Sequence, residues 1–100
     1  MSWVLLFLAG ALIFNAVPHV VSGLRGDVFP TPFAKPRGVG NSSALTNFLW
    51  GFANLAIGLG LALNRLALAQ IEAGLTAMAA GGLAIGLYLA THFGKVRGGK

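Results

Sequence analysis

The stretch from Ala44 to Leu63 constrains this chain most, because its 20 consecutive residues include no charged side chain. A helix of that length is about 30 Å long, which matches the hydrocarbon thickness of a bilayer. Further apolar stretches lie on either side of it. The sequence therefore predicts an all-α membrane protein whose single domain, residues 1–100, has three transmembrane helices at about 3–22, 44–63 and 67–93.

The overall composition agrees with a bilayer location. Only 9% of the residues are charged and 56% are hydrophobic, whereas soluble domains carry about 25% charged residues. The net charge of +5 does not indicate nucleic acid binding, since the basic residues lie at the ends of apolar runs and not on one solvated face. We expect membrane lipids as partners instead. The absence of cysteine excludes disulfides, iron–sulfur clusters and cysteine-bound zinc, and we expect no cofactor.

The first helix contains a proline, Pro18, which cannot donate a hydrogen bond to the carbonyl of Phe14. We therefore expect a kink there or an early end of the helix. A cleaved signal peptide is the rival interpretation of this segment, but it lacks a basic leading region and a small-residue cleavage site. We expect the helix to be retained.

A loop rich in proline and glycine, residues 24–43, joins the first two helices. Its three prolines stand within seven positions and favour extended or turn backbone. Apolar residues at its tip predict that it folds back onto the bilayer surface or into the mouth of the bundle: Val28, Phe29 and Phe33. A flexible linker is the alternative. Three residues at its end can cap the second helix: Asn41, Ser42 and Ser43.

The distribution of positive charge predicts the orientation. Three spans place the loop on the same side as residues 94–100, which we expect to be a flexible tail. That side carries six basic residues: Arg25, Lys35, Arg37, Lys95, Arg97 and Lys100. The other side carries only Arg65. The bias predicts a multi-pass protein of the cytoplasmic (inner) membrane with its N-terminus outside and its loop and C-terminus in the cytoplasm.

Small and amide residues recur at helical spacing on each span and predict the faces that pack. On the first span they are Ala11, Asn15, His19 and Ser22. On the second they are Ala44, Asn47, Gly51, Asn54, Gly58 and Ala62. On the third they are Ala77, Gly81, Ala84, Tyr88 and Thr91 or His92. Apolar helices gain no hydrophobic free energy by associating within lipid, so they pack closely through such small residues. Spans two and three follow so closely that a tight helical hairpin is expected.

A second row of small residues on the third span could join copies of the chain in a homo-oligomer or bind a larger membrane complex. It consists of Gly82, Gly86 and Ala90. The alternative interpretation is that all the glycine and alanine rows only pack helices of the same chain against one another.

Polar side chains at depth in the spans mark the candidate site. An unpaired amide in hydrocarbon costs several kcal/mol, so these groups must pair across helices or line a polar cleft that opens to the cytoplasm under the loop. Two histidines and an acid fall at the same end. The candidate ligand-binding residues are Asn15, His19, Arg25, Asp27, Asn47, Trp50, Asn54, Tyr88 and His92. No histidine stands at metal-ligand spacing from another ligand, so no metal site is predicted.

Three functions compete. The first is a non-enzymatic membrane protein that binds a lipid-like or small amphiphilic ligand, or a partner membrane subunit, through the cytoplasmic cleft. The second is an enzyme for a lipid-soluble substrate, with His19 as acid or base, Asp27 as its orienter, and Asn47 and Asn54 holding a substrate oxygen. That enzyme requires His19, Asp27 and Asn47 to point into one enclosed cavity. The third, an oligomeric small transporter, is weakened by the lack of an acid at mid-span.

The charge argument makes a testable prediction. Replacing Lys35→Glu and Arg37→Glu together removes two of the loop's basic residues, so the inward bias should fall and part of the population should invert. Reporter enzymes fused to the C-terminus measure orientation. Unchanged topology in the double variant counts against the charge argument.

Overall fold

The computed structural model describes residues 2–67 and 70–98, and this part of the chain folds into three helices with one short strand pair. The helices are α1, Ser2–Leu24, α2, Ala44–Leu66, and α3, Ile71–Gly98. Strands β1, Phe29–Pro30, and β2, Asn41–Ser42, lie in the loop between α1 and α2 and pair antiparallel. By length and composition all three helices can cross a membrane, as the sequence predicts. The connection at 68–69 lies outside the described residues.

Most large apolar side chains of the helices are exposed, and the buried positions are mainly small or polar residues. On α2 the buried residues are Asn47, Gly51, Asn54, Gly58 and Ala62, which are five of the six residues predicted for its packing face; the sixth, Ala44, is half-buried. The exposed large side chains of the same helix are Leu45, Leu49, Phe52, Ile57, Leu59 and Leu63. A soluble bundle has the opposite pattern. An apolar exterior around a core of small and amide residues is typical of a multi-pass membrane protein.

The first helix lies between the other two. α1 packs along both α2 and α3, whereas α2 and α3 make few contacts with each other. The expected tight packing of spans two and three against one another is therefore not observed, although they are adjacent in sequence. Because α2 and α3 make few contacts, a groove remains between them alongside α1.

Glycines bring α1 close to both of its neighbours. A Cβ on Gly81 of α3 would overlap the carbonyl oxygen of Phe7 on α1, and one on Gly10 of α1 would overlap the carbonyl oxygen of Met78 on α3. On the other side of α1, a Cβ on Gly51 would lie 2.7 Å from the backbone nitrogen of Val20. Backbone meets backbone at these points, so no larger residue fits without moving a helix.

The ends of α1 and α2 follow local rules. Pro18 does not end α1, which continues to Leu24, so of the two expected effects, a kink or an early end, the early end does not occur. The helix stops in a Schellman motif, in which Asp27 N–H donates to Ser22 O at 2.8 Å and Gly26 N–H to Gly23 O at 3.1 Å. Gly26 has φ of 76°, a conformation that favours glycine.

The predicted cap of α2 is confirmed at one of its three candidates. Ser43 Oγ accepts a hydrogen bond from the backbone N–H of Thr46 at 3.1 Å, and Ser43 is the N-cap residue. This bond satisfies one of the free N–H groups at the start of the helix.

The third helix differs from the expectation in its length and in its inward face. It continues to Gly98, so the segment predicted as a flexible tail is helical that far; residues 99–100 lie outside the described part. The predicted inward residues Ala84, Tyr88 and Thr91 are exposed. Residues turned toward α1, the loop or the space between the helices are instead Gly74, Met78, Gly81, Gly82, Ile85, Leu89, His92 and Phe93.

The row proposed for self-association is partly occupied by the chain itself. Gly82 is buried under the ring of Phe14 of α1, whereas Ala90 is exposed and Gly86 has open space where a Cβ would lie. A second copy could reach only part of this row.

The α1–α3 contact predicts different effects for two alanine substitutions on one helix. Gly81→Ala should destabilise the fold by about 1–3 kcal/mol, because the new methyl group must push α1 away. Gly86→Ala should be neutral or stabilising by up to about 1 kcal/mol, since nothing lies within 4 Å of its Cβ position. Unfolding in detergent micelles, followed by circular dichroism, measures both. Equal stability of the two variants would contradict the packing described here.

Candidate functional site

The proline loop is ordered by its own hydrogen bonds, and Thr31 is their centre. This residue is 1% exposed. Its carbonyl accepts from the N–H groups of Ala34 at 3.2 Å and Gly38 at 2.9 Å. Its hydroxyl lies 2.5 Å from that of Ser42 and accepts from the N–H of Phe33 at 3.2 Å. The loop therefore forms a compact cap on one end of the bundle, as the folded-back alternative predicts.

Asn47 joins this loop to both α1 and α2. Its side chain is fully buried, and its Nδ2 lies within hydrogen-bonding distance of three carbonyl oxygens, those of Phe29 at 2.9 Å, Ser42 at 3.2 Å and Ser43 at 3.0 Å. Phe29 and Ser42 are partners in the strand pair. The amide thus fastens both strands to the first turn of α2.

The same amide fixes the proton position on His19 of α1. Because Asn47 Nδ2 faces carbonyl oxygens, its Oδ1 must be the atom that accepts, and His19 Nδ1 lies 2.8 Å from it. In the neutral imidazole the proton is therefore on Nδ1, and Nε2 carries the lone pair. His19 is 2% exposed and is surrounded by the rings of Phe29, Trp50 and Phe93, whose centroids are 5.5, 6.5 and 6.4 Å away.

The third helix holds the other side of the loop. His92 Nε2 lies 2.7 Å from the carbonyl oxygen of Gly38, which can only accept, so this nitrogen carries the proton. The guanidinium of Arg97 lies 5.2 Å from the centre of the Phe29 ring, a cation–π distance. These contacts give a physical reason for the helical course of a segment expected to be a tail: its side chains meet the loop.

A pocket of about 180 Å³ lies under the loop, between the three helices. Five of the nine predicted residues line it: Asn15, His19, Trp50, Tyr88 and His92. The remaining lining residues are Thr31, Pro32, Gly38, Ile85, Leu89 and Phe93. Tyr88 stands at the rim, 61% exposed, with its ring stacked on that of His92 at 5.8 Å.

Trp50 forms one wall of this pocket and leaves a donor unused. Its indole Nε1 is buried and has no hydrogen-bond partner within the described residues. Phe33 of the loop packs edge-on against the indole at 5.1 Å. A buried N–H without an acceptor costs about 1–3 kcal/mol, so an acceptor supplied by a ligand or water would be stabilising.

Two predicted asparagines support the pocket. Asn15 Nδ2 donates to Asn54 Oδ1 at 3.1 Å across α1 and α2, and Asn54 Nδ2 donates to the carbonyl of Trp50 at 2.8 Å. Asn15 lines the pocket, whereas Asn54 and Asn47 are not among its lining residues. The prediction that the buried amides pair across helices agrees with these bonds.

Arg25 and Asp27 are not part of the pocket. They form an ion pair at 3.3 Å on the surface, where their side chains are 71% and 52% exposed. The condition set for the enzyme alternative, that His19, Asp27 and Asn47 share one enclosed cavity, is therefore not met. The partner of His19 is the amide of Asn47 and not a carboxylate.

An apolar groove continues from the pocket. It has a volume of about 480 Å³, lies between α2 and α3, and is lined by Leu8, Ala11, Leu12, Asn15, Leu61 and Ile85. Asn15 and Ile85 line both the pocket and the groove. The two spaces therefore adjoin, and the groove lies where α2 and α3 fail to meet.

Several residues of the site are not predicted from the sequence. Thr31, Gly38 and Phe93 carry no recognisable motif, and the carbonyl of Phe29 has no sequence signature at all. The one available signal was the set of phenylalanines in the proline loop, which indicated that the loop folds inward but not what it would contact.

Comparison of the chain with protein-family models, with curated proteins and with solved structures gives no match.

The central role of Asn47 predicts a specific loss. Asn47→Leu keeps the branched shape of the side chain but removes the donor to Phe29 O and Ser42 O and the acceptor for His19, so the fold should lose about 1–3 kcal/mol. The loop should also detach, which trypsin cleavage after Arg37 would reveal. Asn64→Leu, at an exposed position near the end of the same helix, is the matched control and should leave cleavage unchanged. Equal protection of Arg37 in both variants would refute the role of Asn47.

Proposed function

We propose that this protein is a non-enzymatic binder of one amphiphilic molecule in the cytoplasmic membrane, with the polar head in the pocket and the apolar chain in the groove. The observation that carries the proposal is that the pocket and the groove share Asn15 and Ile85. A pocket with several hydrogen-bonding groups in its lining, adjoining an apolar groove, matches a molecule with a polar head and an apolar tail.

The two spaces differ in the chemistry of their linings. Hydrogen-bonding side chains from all three helices and the loop converge on the pocket, including His19, Trp50 and Tyr88. The groove is lined by aliphatic residues, with Asn15 at its junction with the pocket. Ligand sites generally combine apolar walls with a few placed polar groups.

The position of the site favours entry from the bilayer. The groove lies on the side where α2 and α3 are apart, so a lipid-soluble molecule could enter from the membrane while the loop stays bound to Asn47 and His92. The excess of basic residues at the loop end supports placement of the head in the cytoplasmic leaflet, with the N-terminus outside.

The other candidate functions receive less support. The enzyme alternative loses its proposed orienter, since Asp27 pairs with Arg25 at the surface. A partner membrane helix could occupy the groove in place of a chain, and the experiment below separates these two occupants.

The groove gives a matched pair of substitutions on α2. Leu61→Trp should obstruct the groove and reduce retention of a bound amphiphile by about tenfold, since a clash between the indole and the bound chain costs about 1–3 kcal/mol and 1.4 kcal/mol is a factor of ten. Leu63→Trp adds the same bulk at a position 74% exposed and outside the groove, so retention should not change. Native mass spectrometry of protein purified in mild detergent measures the bound amphiphile.

The outcomes distinguish the occupants. A stoichiometric amphiphile that is lost in Leu61→Trp and kept in Leu63→Trp supports the proposal. Loss of a copurifying membrane subunit in Leu61→Trp, with no amphiphile in the parent protein, would replace it by the partner-helix alternative. Equal retention of amphiphile in both variants would refute a site in the groove.

A further inference from the structure

The pocket also limits the chemistry of the head group, and this inference rests on the proposed amphiphile site. Among the described residues, no Lys, Arg, Asp or Glu lines the pocket. Arg25 and Asp27 neutralise each other on the surface. A phosphate or carboxylate head would therefore lose its hydration without gaining a cationic partner, which is costly in a low-dielectric site. The lining favours an uncharged head.

The size of the pocket limits the head to about one ring. A cavity of about 150 Å³ in another protein holds benzene, and the pocket here is about 180 Å³. A single substituted six-membered ring matches this volume.

The walls favour a flat head. Aromatic and imidazole rings dominate the lining, from His19, Trp50, Tyr88, His92 and Phe93. Aromatic rings pack edge-on or offset against one another at centroid distances of 4.5–7 Å, and the rings around His19 already lie at such distances. A planar guest can make the same contacts.

Trp50 and His19, which both line the pocket, each carry a ring nitrogen that has no hydrogen-bond partner among the described residues. Trp50 Nε1–H has no acceptor within the described residues. The Nδ1–H of His19 is bound by Asn47, which leaves Nε2 as its acceptor atom, and no partner of Nε2 is found in the same part of the chain. Trp50 Nε1 is itself buried, so its N–H meets a guest only where the guest packs directly against the indole; the ring centroid of His19 lies 6.5 Å from that of Trp50.

From these observations we infer that the head group is of the quinone or quinol type: a neutral, planar six-membered ring with oxygen substituents and an apolar chain. A ring oxygen accepts the hydrogen bond from Trp50 Nε1–H. In the reduced form a ring hydroxyl also donates to His19 Nε2, so both free atoms gain partners. The chain lies in the groove between α2 and α3. The inference concerns binding alone.

Three probes of similar chain length test the head group on the intact protein in nanodiscs. Decylubiquinone has the ring and its oxygens, decylbenzene has the ring alone, and decyl phosphate has a charged head. We expect one molecule of decylubiquinone to bind to each chain and to displace one molecule of any amphiphile already bound there. It should bind more tightly than decylbenzene by about 2- to 10-fold, the range for one hydrogen bond, and decyl phosphate should bind more weakly than either.

A matched pair of tryptophan variants tests the donor. Trp50→Phe keeps an aromatic ring but removes the N–H, so affinity for decylubiquinone should fall by about 2- to 10-fold while affinity for decylbenzene changes less. Trp3→Phe, on an exposed side chain at the far end of α1, should change neither. The probe series on the parent protein gives the answer independently if Trp50→Phe does not fold.

The possible failures are distinguishable. If decyl phosphate binds as well as decylubiquinone or better, and Leu61→Trp abolishes that binding, the quinone inference is wrong and the amphiphile site stands. Equal binding of decylbenzene and decylubiquinone also overturns the inference. If Leu61→Trp affects the binding of none of the probes, the inference and the proposed function both fail.

Discussion

The buried amide of Asn47 bonds three parts of the chain to one another: α1, the proline loop and the start of α2. Within a few ångströms it bonds the imidazole of His19 on α1, the carbonyl of Phe29 in the loop and the carbonyls that lead into α2. Each of these groups is costly to leave unpaired away from water. Together with the contact of His92 with Gly38, this side chain positions the loop and with it the roof of the pocket.

Helix packing supplies the second constraint, and it also creates the groove. Because lipid offers no hydrophobic drive for association, the helices approach where side chains are smallest. These close approaches lie on two faces of α1. On one face Gly10 of α1 and Gly81 of α3 bring the two helices together, and on the other face Gly51 of α2 lies against α1. Both neighbours therefore attach to α1, and the space left between them becomes available to a chain from the bilayer.

The sequence predicted the elements with strong local signals. The three spans, the capping role of Ser43 and the inward face of α2 follow from length, residue type and period, and the structure agrees with each. On α2 the two buried asparagines recur at helical spacing with Gly51, Gly58 and Ala62, whereas other small residues such as Ala53 and Gly60 are exposed.

The predictions from sequence are wrong where several faces of one helix carry the same pattern, or where the contact partners are remote in sequence. α3 carries glycines at both 81 and 82 and small residues on several faces, so its period did not select the face that meets α1. The end of α3 depends on contacts with the loop, such as that of Arg97 with Phe29, which are remote in sequence. Asp27 was grouped with His19 because both lie at one end of the bundle, but Arg25, two residues away, is its actual partner.

The order of the elements along the chain bears on how the molecule is made. α1 is synthesised first, yet the partners of its polar groups come later: Asn47 follows His19 by 28 positions, and Asn54 follows Asn15 by 39. Until α2 enters the bilayer, the amide of Asn15 and the imidazole of His19 either face acyl chains or stay at the membrane–water interface. Arrival of the second helix relieves both at once, so the pair should insert as a unit before the third joins.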